Sequence, residues 1–363
     1  MPIEYYSNNG NLNDPIVSQS ALGYLDPEMG GHPTKFARFI NSADESKITP
    51  SLERGDLLHR WLEKPDEFIF ADIEKPSEQL EKFSNSFYEL YVNKLYEITE
   101  GFTEFCQSKI SLDASDYIKI NKIYQELNET SEVNQDNIKL LIYSILFSRQ
   151  QAKVDKRLTD TKVIEKFEQC IPYIKFLKKA TGKIAVTNQT KNILINCYES
   201  LKSHPIAKEL LFEQSSSIIK RQKELELSWK ELHLETLVRR KARLDQVDKT
   251  ISHIRIIDTK TTAKDVSLFK EGAFKQWKLG RQLASYGLGY QAANPSNYRQ
   301  FEYINIVVQT TEPYPTAVYM ITEDTIQKSI NDYNNIMSRL VHHIKTQNWE
   351  ITQEEYENNG IWI

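Results

Sequence analysis

Cysteine and glycine are scarce in this 363-residue sequence, and their scarcity excludes several classes of protein. The three cysteines, Cys106, Cys170 and Cys197, are odd in number and scattered, so no disulfide framework is expected. Three cysteines are also too few for a four-cysteine iron–sulfur cluster. The sequence has neither a P-loop nor a glycine-rich dinucleotide turn, so we expect no nucleotide cofactor.

Long hydrophobic runs are missing as well. No apolar stretch approaches the roughly 20 residues that span a bilayer, and the start of the chain lacks the basic and apolar regions of a signal peptide. We therefore predict no membrane segment and a cytoplasmic protein. A composition of 40% hydrophobic and 26% charged residues is that of an ordinary globular chain, with length for two domains or for one domain with an insertion.

The net charge of −4 argues against non-specific binding to nucleic acid, but the charge is unevenly distributed. Residues 220–281 hold sixteen Lys and Arg against nine Asp and Glu, which is +7 and leaves −11 for the remainder. A basic region on an acidic body is what a confined phosphate-binding channel would require. The alternative is that Arg239, Arg240 and Lys241 form a solvated strand edge.

The residues that carry chemistry are concentrated between 241 and 262. Alternating apolar residues predict two short strands there, the first carrying Asp245 and the second Asp258 and Lys260. Asp258 and Lys260 are two apart, so their side chains project from one face of the strand. Two neighbouring carboxylates bind a hard divalent ion such as Mg²⁺ or Mn²⁺. The lysine could then position or deprotonate a water, or stabilise charge that develops on phosphorus.

The same stretch resembles a known signature. Asp245, with Ala242-Arg243 before it, and Asp258-Thr259-Lys260-Thr261-Thr262 follow the PD-(D/E)XK nuclease pattern in the form ARxD…hhDxKTT. The pattern is most similar to that of the exodeoxyribonuclease VIII (RecE-type) phage recombination nucleases. The resemblance implies that Asp245, Asp258 and the Thr259 carbonyl hold the metal and that Lys260 manages the attacking water.

A predicted short helix near residues 52–64 adds to the resemblance. It is similar to the GxxxHxxLExPxxF helix of that family, matched at Gly55, His59, Leu62, Glu63, Pro65 and Phe68. In the family the histidine faces the metal site, which implies a site role for His59. The alternative is a histidine whose ring is satisfied by a backbone partner.

One more acid is expected from the strand that precedes Asp245. The stretch from Lys223 to Trp229 alternates, so Glu224 and Glu226 share one face. The spacing to Trp229 favours Glu224 by resemblance, whereas the periodicity places Glu226 equally well. Both remain candidates for the catalytic and metal-binding acid.

Candidate DNA-binding residues follow the second strand. Gln282 and Tyr286 lie four apart on a predicted helix over 269–291 and resemble the Q-x-x-x-Y pattern of RecB-type and RecE-type nucleases, which contacts the site or the DNA strand. Tyr290 and Gln291 offer a second match. We expect duplex affinity to rest on a set of basic residues, namely Arg239, Arg240, Arg243 and Lys278.

The predicted fold is α/β, with the PD-(D/E)XK core of a central mixed sheet flanked by helices, together with a long α-helical insertion. Residues 1–71 form an N-terminal segment, in which Ser20 caps a short helix, and the first core helix. Residues 72–165 form the helical insertion, and residues 166–363 the nuclease core. The insertion could be a wall that guides DNA, a subunit contact or packing only.

The resemblance implies a metal-dependent exonuclease that hydrolyses DNA from duplex ends, with 5′→3′ polarity and a role in phage-type recombination. It further implies a bacterial or phage-infected cell, a single-strand-annealing partner and a closed homo-oligomeric ring. Two alternatives stay open. One is another PD-(D/E)XK enzyme, an endonuclease or a repair or defence nuclease, and the other is a non-enzymatic DNA-binding protein that retains the fold.

Overall fold

The computed structural model describes residues 10–41, 50–70, 73, 76–155, 157–186 and 188–358. In chain order, the strands are β1 (Ile16–Val17), β2 (Phe68–Phe70), β3 (Ile184–Val186), β4 (Ile218–His233), β5 (Thr236–Thr250), β6 (His253–Thr262), β7 (Gln300–Gln309) and β8 (Thr316–Ile321).

The helices are numbered in chain order in the same way. They are α1 (Gln19–Gly23), α2 (Pro33–Asn41), α3 (Pro50–Glu63), α4 (Glu78–Phe87), α5 (Phe102–Phe105), α6 (Ala114–Asn128), α7 (Gln135–Gln151), α8 (Asp160–Glu168), α9 (Ile171–Lys179), α10 (Asn188–Ser203), α11 (Pro205–Leu211), α12 (Phe269–Gln276), α13 (Leu279–Ala293), α14 (Glu323–Thr346) and α15 (Gln353–Asn358). None of the described helices combines the length and apolar character that crossing a bilayer requires.

Two compact units divide the chain. The first, which we call the sheet unit, comprises Met1–Glu63 and Ile193–Ile363, and the second, the helical unit, comprises Lys64–Asn192. The predicted insertion at 72–165 lies inside the helical unit. Residues 166–192 were predicted to be part of the nuclease core, but they also belong to the helical unit.

A six-stranded mixed sheet organises the sheet unit in the order β1-β5-β6-β7-β8, with β4 paired to β5. β1 is parallel to β5 and β6 is parallel to β7, whereas the other neighbours are antiparallel. The prediction of an α/β fold with a central mixed sheet and flanking helices is confirmed. β5 is longer than expected, with 15 residues, because β4 pairs along its length while β1 and β6 pair with different parts of it.

The interior of the sheet unit follows the alternation in the sequence. Leu244 and Val247 of β5 and Ile254 and Ile256 of β6 are buried in one apolar cluster with Leu283 of α13. Asp258 lies two residues beyond Ile256, and so on the same face of β6, at the end of this apolar row.

Two local predictions are wrong. The helix expected over 269–291 is two helices, α12 and α13, because Lys278 between them has a φ of +51° and so adopts a left-handed conformation. The cap of α1 is Ser18 and not Ser20, since the Ser18 hydroxyl accepts a hydrogen bond from the Ala21 N–H at 3.2 Å.

The helical unit is built on an apolar interior. Phe83 and Phe87 of α4, Ile142 of α7 and Phe167 of α8 are fully or almost fully buried in one cluster. Residues 184–186 form β3, which pairs with β2 in a separate two-stranded parallel sheet. In this sheet, β3 contributes to the helical unit and not to the central sheet.

Candidate active site

The approach of α3 to β6 brings a histidine toward the aspartates. A Cβ atom on Gly55 would lie 3.0 Å from the Thr261 hydroxyl, so the glycine permits this close packing. His59 lies one helical turn after Gly55, on the same side of α3. Its Nδ1 atom is 3.5 Å from Asp245 Oδ2. The Asp245 carboxylate thus lies next to the His59 ring.

The two aspartates meet where β5 and β6 part. The antiparallel ladder ends at the pair Gln246–Ile257, and one further step in that register sets Asp245 across from Asp258. The Thr259 N–H donates a hydrogen bond to Asp245 Oδ2 at 2.8 Å and fixes that carboxylate. The register therefore aligns the two carboxylates on one face of the sheet.

Glu224 joins this group from β4. It lies between the pairs Lys223–Gln246 and Leu225–Leu244, and so across from Asp245. Its φ of +49° is rare for a residue with a side chain and marks local backbone strain, which is common at functional sites. The candidate ligand atoms of His59, Glu224 and Asp245 all lie within 4.8 Å of one another.

The structure distinguishes the positions of Glu224 and Glu226, which strand periodicity left equivalent. Glu226 is exposed, lies outside the cluster and has Arg243 as its register partner. Arg243 instead directs its Nε toward Glu224 Oε2 at 2.9 Å. The prediction that kept Glu226 as a site acid is corrected, because the left-handed backbone at Glu224 breaks the regular alternation on which the equivalence rested.

Asp258 is almost completely buried, with 1% of its side chain exposed. Its Oδ1 accepts a hydrogen bond from Lys260 Nζ at 2.7 Å, and its Oδ2 accepts one from Asn305 Nδ2 at 2.8 Å. Burial raises the pKa of Asp258 to about 6; the Lys260 ammonium opposes this rise and the Asp245 carboxylate adds to it. Burial, with the Asp245 charge, also raises the pKa of Glu224. Crowded carboxylates of this kind are stabilised by a bound cation.

Lys260 is held as an ammonium. Burial lowers its pKa, but the charges of Asp258 and Asp245 outweigh burial, so that the pKa of Lys260 is raised overall. About a quarter of its side chain is exposed, at 27%. Of the roles that the sequence left open, a positive charge that stabilises a phosphate fits this environment better than a base that removes a proton.

The donor set fits a divalent ion of the Mg²⁺ or Mn²⁺ type. Oxygen ligands at about 2.1 Å from one ion lie at most about 4.2 Å apart, so groups within 4.8 Å need only small side-chain rotations to share it. Carboxylates suit both ions, and an imidazole ligand is more usual for Mn²⁺. His59, Glu224 and Asp245 would hold the ion, with Asp258 beside them. The Thr259 carbonyl stays a predicted ligand.

Asn305 is a site residue that sequence reasoning missed. It lies on β7 directly beside Asp258 in the parallel register and is fully buried. The signal for it was a single amide within an apolar strand, Tyr303-Ile304-Asn305-Ile306-Val307. A polar residue at a position where neighbours on both sides are buried indicates a specific partner.

Two of the predicted phosphate contacts are wrong. Arg240 is fully buried, with its guanidinium 5.2 Å from the Tyr333 ring centroid and an Nη atom that donates to Ser285 Oγ at 3.1 Å. Lys278 is 13% exposed and is held by Glu28, with Asp332 at 3.7 Å. Arg240 is therefore too deeply buried to reach a phosphate, and the ammonium of Lys278 is already paired with carboxylates.

The other predicted contacts differ in position. Arg239 pairs with Asp14 at 2.9 Å and is partly exposed, whereas Arg243 lies within the site through Glu224. Gln282 Nε2 donates to the Tyr286 hydroxyl at 2.5 Å, and Tyr286 is buried among the apolar residues of the sheet unit. A DNA contact through Gln282, which is half-buried, stays a prediction.

The second match to the Q-x-x-x-Y pattern is also engaged internally. Tyr290 is 5% exposed, and Gln291 exchanges hydrogen bonds with Asn297. Neither residue lies in the cluster formed by His59, Glu224 and Asp245.

Comparisons with known proteins find distant structural similarities. No protein-family model and no curated protein matches the chain. A crystal structure of a candidate exonuclease from Eubacterium rectale covers 70% of this chain and 96% of its own, at 11% identity and a TM-score of 0.34. A crystal structure of SSO0001 covers 67% of this chain and 85% of its own, at 12% identity and a TM-score of 0.22. These similarities are too low to assign a function, which rests on the site.

Proposed function

We propose that the protein is a metal-dependent deoxyribonuclease that hydrolyses phosphodiester bonds. The observation that carries this proposal is the convergence of His59, Glu224 and Asp245 within 4.8 Å, beside the Asp258–Lys260 pair. Acids that gather around one point, next to a lysine ammonium, supply both a cation site and a positive charge for a phosphate.

Each residue has a distinct role in this proposal. His59, Glu224 and Asp245 hold Mg²⁺ or Mn²⁺, which when bound activates a water and neutralises a phosphate oxygen. Asp258 borders the ion and holds Lys260 through the 2.7 Å contact. Lys260 presents its ammonium to the charge that develops on the phosphate, in keeping with its raised pKa. Arg243 keeps the strained Glu224 oriented.

The substrate follows from charge and from the resemblance. The excess of +7 between residues 220 and 281 favours a polyanion over a small neutral substrate. The RecE-like pattern extends the proposal to an exonuclease that works 5′→3′ from duplex ends in phage-type recombination. A single-strand-annealing partner and a closed ring of three or four subunits are part of the same proposal, and a monomer seen by light scattering at micromolar concentration would count against the ring.

The test is an assay that compares two forms of one DNA. End-labelled linear duplex and the covalently closed circle of the same sequence are incubated with the protein in Mg²⁺, in Mn²⁺ and in chelator. We expect the linear form to be degraded with either ion, the circle to stay intact, and chelator to stop the reaction.

Other outcomes would replace the proposal in defined ways. Equal cleavage of the circle would favour an endonuclease or a repair or defence nuclease, which shares every site residue. Binding without cleavage of either form, in both ions, would favour a non-enzymatic DNA-binding protein.

A further inference from the structure

Asn305 occupies a position that packing alone does not explain. Its side chain is fully buried on β7 between Ile304 and Ile306, which are also buried. Its Oδ1 atom has no hydrogen-bond partner among the described residues. A buried amide with one unsatisfied atom is less stable than an apolar side chain of similar size at the same place. The advantage of an asparagine at this position must therefore come from the hydrogen bonds that its Nδ2 atom donates.

That contact is with Asp258. Asn305 Nδ2 is 2.8 Å from Asp258 Oδ2 and 3.4 Å from the Asp258 backbone oxygen. Since both of these atoms accept hydrogen bonds, the amide group must direct its nitrogen to them, and the reversed amide would set oxygen against oxygen. The orientation of the Asn305 amide is thus fixed by Asp258, and its Oδ1 atom is left without a hydrogen-bond partner among the described residues.

The two side chains that donate hydrogen bonds to Asp258 differ in how rigidly they are held. Lys260 has four rotatable bonds and a side chain that is 27% exposed, so its ammonium can turn toward a substrate. Asn305 is short, buried and fixed in a strand whose register with β6 extends over ten residue pairs, from His253–Gln300 to Thr262–Gln309. When Lys260 turns away, Asn305 is the remaining donor that keeps the carboxylate in place.

We propose that Asn305 is a positioning residue that holds the Asp258 carboxylate in place beside the metal site formed by His59, Glu224 and Asp245. The inference rests on the proposed function, because it assigns Asn305 a purpose in metal binding. Groups that hydrogen-bond a metal-site carboxylate from behind typically change metal affinity by about 10- to 100-fold when removed.

The experiment measures Mn²⁺ binding by calorimetry in the absence of DNA. Asn305→Leu replaces the amide by an apolar side chain of nearly the same shape, and Asn305→Ala serves the same purpose if the leucine variant does not fold. The matched control is Gln309→Leu, which removes another amide of β7 whose donor goes to Thr311 and not to the site. We expect about 10-fold weaker Mn²⁺ binding for the Asn305 variants and parental binding for Gln309→Leu.

A double-substitution cycle separates positioning from general packing. If Asn305 acts through Asp258, then Asn305→Leu should weaken Mn²⁺ binding no further in an Asp258→Asn background. In turnover, kcat should fall in the Asn305 variants while the KM for linear DNA stays near the parental value. Parental Mn²⁺ affinity in Asn305→Leu or Asn305→Ala, or effects that multiply in the double variant, would overturn the inference.

The outcomes also distinguish the inference from the function on which it rests. A parent protein that binds Mn²⁺ and cleaves DNA, with Asn305 variants that bind the ion equally well, contradicts only the role of Asn305. A parent that neither binds Mn²⁺ nor cleaves DNA overturns both proposals together.

Discussion

Two buried aspartates on neighbouring strands have opposite surroundings. Asp248 on β5 is fully buried and receives two hydrogen bonds from the Arg221 guanidinium, at 2.8 and 2.7 Å. Asp258 on β6 is equally buried but is held by a single lysine contact and a single amide contact. Asp258 also faces the Asp245 carboxylate, which with burial raises its pKa.

The difference separates a structural charge from a reactive one. A bidentate guanidinium matches a carboxylate in geometry and in charge, so the Asp248–Arg221 pair has no need of a further cation. At Asp258 the fixed donors leave an excess of negative charge, and a divalent ion would supply the missing positive charge. We therefore expect substitutions at Asp258 to act on chemistry and substitutions at Asp248 to act on stability.

The largest expected effect is on catalysis at Asp258 and Lys260. Asp258→Asn keeps the shape but weakens the negative charge of the site, and Lys260→Ala removes the ammonium. Each should lower the rate of linear DNA hydrolysis in Mg²⁺ by about 10²-fold or more, while DNA affinity stays nearly parental. Single-turnover assays together with filter binding check both parts, and a parental rate in either variant contradicts the assignment.

The matched change at Asp248 should have the reverse effect. Asp248→Asn breaks the bidentate pair and leaves Arg221 with only 16% of its side chain exposed, which should lower the free energy of unfolding by roughly 3 kcal/mol. Urea unfolding of the variant measures this loss. The rate of DNA hydrolysis per folded molecule should stay within a few-fold of the parent. A loss of activity without a loss of stability would contradict the structural role assigned to Asp248.

A smaller effect should distinguish two glutamates of one strand. Glu224→Gln removes a charge from the cluster with His59 and Asp245, and we expect Mn²⁺ binding to weaken by about 10-fold. Glu226→Gln makes the same chemical change at an exposed position two residues away and should leave binding unchanged. Calorimetric titration of both variants with Mn²⁺ provides the measurement. Equal losses of Mn²⁺ affinity would mean that Glu226 also belongs to the metal site.

The smallest effect concerns pH. Since burial raises the pKa of Asp258 from an unfolded value near 3.8 to about 6, the folded protein binds the proton more tightly than the unfolded chain. The metal-free protein should therefore lose stability from this group as pH rises from about 4 to about 6. Asp258→Asn should abolish this dependence and be more stable than the parent at pH 8, as denaturant unfolding in chelator can show. A parent and variant with parallel stability curves would contradict the raised pKa.

The sequence predicted those parts of the site that depend on local periodicity. Alternation in a strand sets Asp258 and Lys260 side by side, and their 2.7 Å contact follows from that spacing. The close approach of His59 depends on a glycine one helical turn earlier, which the sequence displays as Gly55. The strands that carry Glu224, Asp245 and Asp258 also follow from apolar alternation in the sequence.

The remaining features depend on tertiary contacts that no local pattern encodes. Arg240 belongs to a run of basic residues in the sequence, which favours an accessible charge. In the fold its guanidinium lies between Trp229, its partner across the β4–β5 ladder, and Tyr333 of the distant helix α14. Lys278 is likewise neutralised by Glu28, which is 250 positions earlier in the chain. The left-handed backbone at Glu224 and the pairing of Asn305 with Asp258 arise from strand register, which is fixed only when the sheet assembles.

We propose above that His59, Glu224 and Asp245 together bind a catalytic divalent ion. Calorimetric titration of Mn²⁺ into the parent and into Asp245→Asn, without DNA, tests this claim most directly. We expect saturable binding to the parent and at least about 10-fold weaker binding to Asp245→Asn, because Asp245 is one of the three candidate ligands and lies 3.5 Å from His59. Parental affinity in Asp245→Asn, or no binding to the parent, would contradict it.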